Sequence, residues 1–90
     1  MNIFRVAAVT GTNDLGLAIA QRVREENIPS LHCIGADAVN QANKAVAVAN
    51  DILEPDGKQI SIKPEFIDLE TEDYEEPHKG VKMQLVIGAE

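Results

Sequence analysis

Ninety residues make a single domain, and with 44% hydrophobic residues, three aromatics and no Trp its interior must be filled by Ile, Val, Leu and Ala. Eight bases stand against fifteen acids, a net charge of −7, and the charge is uneven: residues 1–64 hold six bases and seven acids, residues 65–90 two bases and eight acids. That balance excludes long-range attraction of the whole molecule to nucleic acid. The single cysteine, Cys33, excludes an internal disulfide and suits a reducing compartment.

The chain opens Met1-Asn2-Ile3-Phe4-Arg5, without a basic start and a long apolar run, and no stretch approaches the roughly 20 apolar residues of a membrane span. The expectation is a soluble, cytoplasmic protein with no membrane association. Residues 2–8 read as a strand, apolar on both faces. Thr10-Gly11-Thr12-Asn13 reads as a turn able to cap a helix over 14–26, whose apolar stripe is Leu15, Ala18, Ile19 and Val23. Asn27 to Ser30, with Pro29, ends that helix.

A short strand over 31–34 follows. Gly35 breaks it, and Asp37 is placed to cap a second helix from about 38 to 53. Glu54-Pro55-Asp56-Gly57 is a turn, because Pro55 presets φ and Gly57 tolerates positive φ. Residues 59–69 read as a long strand whose Pro64 requires an edge position or a bulge. Residues 81–87 alternate cleanly, with Val81, Met83, Leu85 and Ile87 on one face and Lys82 and Gln84 on the other. An acidic hairpin arm, about residues 70–80, links the two.

The predicted order is βαβαββ: an α/β chain of the α+β kind, a two-layer sandwich with two helices on one face of a four-stranded mixed sheet. The second helix carries two apolar faces. Val39, Ala42, Val46 and Ala49 form one, and Gln41, Ala45, Val48 and Ile52 an adjoining one. A chain this short is expected to cover the second face with another copy of itself, which makes Ala45, Val48 and Ile52 the candidate oligomer interface.

Val9-Thr10-Gly11-Thr12-Asn13-Asp14-Leu15-Gly16 follows a strand and opens a helix, as a dinucleotide-binding loop does. The glycines are too few and too little chain follows for such a domain, which leaves a helix N-terminus as a weak anion site. His32 and Cys33 are strand neighbours, so they point to opposite faces and cannot share a metal. Asp51, Glu54 and Asp56 lack the spacing of a calcium loop. Glu70, Glu72, Asp73, Glu75 and Glu76 read as a solvated arm, and no nucleophile–base spacing is present. No enzyme, cofactor or metal is expected.

The run Ile34-Gly35-Ala36-Asp37-Ala38-Val39-Asn40-Gln41-Ala42-Asn43-Lys44-Ala45-Val46-Ala47-Val48-Ala49 resembles the signature of the sporulation stage V protein S family, I-G-x-x-A-x-N-Q-A-x-K-A-x-A-[IV]-A. The match extends without a gap through Asn13, Arg24, Pro55, Pro64 and Phe66. The resemblance implies an Alba-like fold, a homodimer or higher oligomer, and a regulatory role through DNA or RNA. In Alba-like proteins the loop before the first helix and the hairpin arms grip the nucleic acid.

The candidate contacts are therefore Thr10, Thr12 and Asn13, with Arg5, Asn40, Gln41 and Lys44 as positioning groups. This chain departs from the family where Val9 and Asn50 replace residues often basic, and where the arm is acidic. Any nucleic-acid binding is expected to be weak. The charge map gives a second expectation: a self-assembling scaffold, a dimer, tetramer or filament with little nucleic-acid affinity, whose acidic arm keeps it soluble or holds a basic protein partner.

Overall fold

A computed structural model describes residues 2–69 and 78–89. The chain runs β1 (Ile3–Val6), α1 (Thr12–Arg24), β2 (Ser30–Cys33), α2 (Ala36–Leu53), a 3-10 turn (Glu54–Asp56), β3 (Lys58–Leu69) and β4 (His78–Ala89). The sheet order is β1-β2-β4-β3, with β1 parallel to β2 and the other neighbours antiparallel. The predicted βαβαββ order and mixed sheet hold. The tip of the hairpin, residues 70–77, lies outside the described residues, and with it the acidic arm proper.

Side-chain alternation separates the two faces of the sheet. Val6, Leu31, Cys33, Ile60, Met83 and Leu85 point inward and form one core with Leu15, Ile19 and Val23 of α1 and Ala42, Val46, Ala49 and Leu53 of α2. The alternate positions, among them Arg5, Ser30, His32, Lys63, Lys82 and Gln84, face away from the helices.

β3 is an edge strand and pairs with β4 without a bulge from Lys58↔Ala89 to Leu69↔His78. Of the two positions Pro64 allows, the edge is the one used. The Ile60 N–H and C=O are both taken by the Asn50 side chain, at 2.7 and 3.2 Å. Even-numbered residues of β3 therefore turn their backbone groups outward, and Pro64, which has no N–H to offer, is among them.

The helix starts differ from the expected caps. Thr12 and Asn13 belong to the first turn of α1, and Gly11 is its N-cap. The Thr10 hydroxyl instead accepts a hydrogen bond from the Ala7 N–H at 2.9 Å. Asp37 likewise lies inside α2, which starts after Gly35 at φ 91°, a conformation that favours glycine. Gly57, at φ 70°, closes the predicted turn.

Within the chain, α1 packs against the second face of α2 at Ala45 and Val48. Gly16 lets the helices approach so closely that a Cβ there would stand 2.8 Å from the Ala45 carbonyl oxygen. Ala45 is 0% exposed, and Val48 and Ile52 are half-buried. Two helices meeting through Gly16 and Ala45 fit side by side over a narrow sheet, so the small residues serve the fold of one chain before any interface.

Candidate functional site

β2 pairs with residues 81–84 of β4 only, so the longer β3–β4 hairpin projects beyond the C-terminal ends of β1 and β2. Both helices begin at that same end, because each follows one of those strands. The loop before α1, the first turns of α2 and the base of the hairpin thus share one end of the molecule.

Gln41 fastens this end. Its Nε2 donates to the Thr10 carbonyl at 2.8 Å, which ties the loop before α1 to α2. Thr10 and Gln41 are therefore spent on each other and on Ala7. Thr12 is half-buried, while Asn13, Asn40 and Lys44 are exposed. Asn40 and Lys44 are one turn apart, hence on one stripe of α2. Asp14 and Asp37 occupy the first turns of the two helices, so the positive ends of both helix dipoles already have carboxylates beside them.

Arg5 is not part of this cluster. It lies on the open sheet face, in a cross-strand row with His32, Lys82 and Glu65. Lys82 reaches Glu65 at 3.5 Å. Burial, then Lys82, then Arg5 push the His32 pKa down. Cys33, on the opposite face, is fully buried, and burial pushes its thiol pKa up, which holds it in the unreactive thiol form. Arg24 is structural as well. It bonds Asp56 at 2.7 Å and the Ile52 carbonyl at 3.2 Å, clasping the end of α1 to the end of α2.

Between α2 and the hairpin base runs a groove of about 460 Å³, walled by Val39, Asn40 and Asn43 on one side and Phe66, Lys79 and Val81 on the other. Phe66 is 77% exposed, and the Lys79 ammonium stands 5.8 Å from its ring centroid. Of the predicted contacts only Asn40 lines this groove. Phe66, Lys79 and Asn43 are additions. Phe66 keeps the inward phase of Ile60 and Ile62, so alternation alone marks it as core; only the extent of the helical layer shows that the described residues leave it 77% exposed.

No group of three or more His, Cys, Asp or Glu among the described residues could hold a metal ion. No helix among them is long and apolar enough to cross a membrane. The fold and groove define a small two-layer α+β domain with an amide-, cation- and aromatic-lined cleft at the end where its helices start. The family model described as stage V sporulation protein S (SpoVS) matches residues 2–88, nearly the whole chain. The chain belongs to this family, and so among sporulation-related proteins.

Proposed function

We propose that the chain is a non-enzymatic, nucleic-acid-binding regulatory protein that acts as a homodimer or higher oligomer, with the groove between α2 and the hairpin base as its contact surface. The observation that carries this reading is the grouping of Phe66, Lys79, Asn40 and Asn43 around one cleft, with Lys44 a turn further along α2. An exposed ring, amides and ammonium groups supply stacking, hydrogen bonding and phosphate neutralisation together. Affinity is modest, because the chain carries a net charge of −7 and only eight bases.

Fluorescence anisotropy with labelled oligonucleotides, at low salt and at about 0.15 M, tests it. Saturable binding that weakens with salt, and weakens further in Lys79→Ala and Lys44→Ala, is the expected result. No binding at either salt overturns the reading.

A second reading is self-assembly with little nucleic-acid affinity. The uncovered sheet face favours it, where Val86 is 48% exposed beside Ser61 and Gln84. The edge of β3 is a poorer joint, since Asn50 occupies Ile60 and Pro64 offers no N–H. Sedimentation of wild type and Val86→Glu separates the two: self-assembly through this face predicts a lower oligomer order in the variant.

A further inference from the structure

We infer that the groove takes an unpaired nucleobase stacked on Phe66, so that the ligand class is single-stranded RNA or DNA rather than duplex; this rests on the nucleic-acid reading above. Phe66 points to the helical side of the sheet, in the cross-strand row Val6–Cys33–Val81–Phe66. Val6 and Cys33 in that row are buried under the helices, yet Phe66 is 77% exposed. The helical layer covers the edge strand at Ile60 but not as far along it as Phe66, and the space left beside the ring is the groove.

A second depression, of about 210 Å³ and lined by Pro64, Glu65, Phe66 and Val81, lies against the same residue. Phe66 therefore has open space in two places, which suits a flat ligand sliding against a flat ring. The other described aromatic, Phe4, is half-buried with the Arg22 guanidinium 5.2 Å from its ring, and offers no such platform.

The surrounding polar groups fit the same ligand. Asn40 and Asn43 each carry two donors and an acceptor, which is the pattern that base edges require. Lys79, on the strand opposite, brings a cation to the ring and to any phosphate that follows the base. In a duplex the base faces are stacked inside and reach Phe66 only after unstacking at a cost of a few kcal/mol.

Charge points the same way. Glu65 lines the second depression, and a duplex brings twice the phosphate charge of a single strand towards its carboxylate. A single strand meets the ring with less repulsion and no unstacking cost.

The test compares matched single-stranded RNA, single-stranded DNA and duplex DNA by anisotropy on the full chain, with Phe66→Ala and Phe66→Trp. Tighter binding of single strands than of duplex is expected. Phe66→Ala is expected to weaken single-strand binding by about 5- to 150-fold, the usual range for one lost base stack. The chain has no Trp, so Phe66→Trp is a lone reporter whose fluorescence falls as a base stacks on it. Equal binding of both forms, with Phe66→Ala unchanged and the reporter unquenched, overturns this inference and leaves the nucleic-acid reading standing. Binding of neither form overturns both. A lower sedimentation coefficient in Phe66→Ala assigns the ring to a contact between copies and likewise overturns it.

Discussion

Gly16 of α1 and Val48 of α2 meet so closely that a Cβ on Gly16 would lie 2.6 Å from both Val48 Cβ and Cγ1. Glycine inside a helix costs about 1 kcal/mol relative to alanine, so an exposed Gly16→Ala change would stabilise α1. Here the added methyl has nowhere to go, and overpacking of this kind costs about 1–3 kcal/mol. Gly16→Ala is expected to lower the melting temperature. Adding Val48→Ala removes the Cγ1 contact and should recover part of the loss, and only part, because position 48 keeps its Cβ at 2.6 Å and the Ala45 carbonyl oxygen stands 2.8 Å from the same point. A thermal melt of both single variants and the double gives the coupling directly; additive losses would place the helices further apart than described.

The same contact explains what was and was not legible in the chain. The element order and the turn at Pro55 and Gly57 are readable from periodicity and local backbone chemistry, and Pro64 narrows its strand to an edge or a bulge, of which the sheet order selects the edge. The helix starts lie earlier than the sequence suggests: Gly11, within the expected capping turn, and Gly35 hold the caps, and Thr12, Asn13 and Asp37 fall in the first turns. The double apolar face of α2 is legible in Ala45 and Val48, but the periodicity does not say that α1 packs on it within the chain. Helix–helix contacts are tertiary, and nothing local in Gly16 announces that it receives Val48. Of the candidate site, Asn40 was readable as a polar position on α2, whereas Phe66 needed the extent of the helical layer.

Glu26 ends α1 in the left-handed region at φ 59°, where glycine is the usual residue. The hydrogen bonds around it are those of a Schellman cap: Asn27 N–H to Arg22 C=O at 2.9 Å and Glu26 N–H to Val23 C=O at 3.0 Å. A side chain in this conformation costs about 1 kcal/mol, and Glu26 is exposed. Glu26→Gly should therefore stabilise the domain by roughly that amount, seen as a higher denaturant midpoint with an unchanged slope. An unchanged or lower midpoint would show that Glu26 makes compensating contacts.

Asn50 holds the outer edge of β3 with two hydrogen bonds to one residue, Ile60. Ile60 is buried, so removing the amide strands a backbone N–H and C=O with poor access to water. Asn50→Ala is expected to cost about 1–3 kcal/mol. It also frees the edge for pairing with another chain, and light scattering at raised concentration should show more association than wild type. Asn50→Asp keeps the acceptor for the Ile60 N–H but loses the donor, and should fall between the two. A variant as stable and as dispersed as wild type would mean that the amide is dispensable.

His32 sits on the open face of the sheet between Arg5 of β1 and Lys82 of β4, with Glu65 next in the row and paired to Lys82. Burial first, then Lys82 and Arg5, set its pKa below the ordinary 6.5. In the unfolded chain the imidazole takes up its proton near that ordinary value; in the folded chain it does so only at lower pH. Between the two the unfolded state binds more protons, so stability falls as pH drops through about 6.5 and levels off below the folded pKa. Above that window His32 is neutral in both states and contributes no slope. Asp56, held below 3.8 chiefly by its hydrogen bond from Arg24, stays charged throughout and does not account for the loss. Urea midpoints measured from about pH 7.5 to about pH 5.5 should therefore decline in wild type and decline less in His32→Gln. Lys82→Gln should also decline less, since it removes the larger of the two cationic causes. If His32→Gln is as pH-sensitive as wild type, the acid sensitivity originates elsewhere and the row Arg5–His32–Lys82 does not govern it.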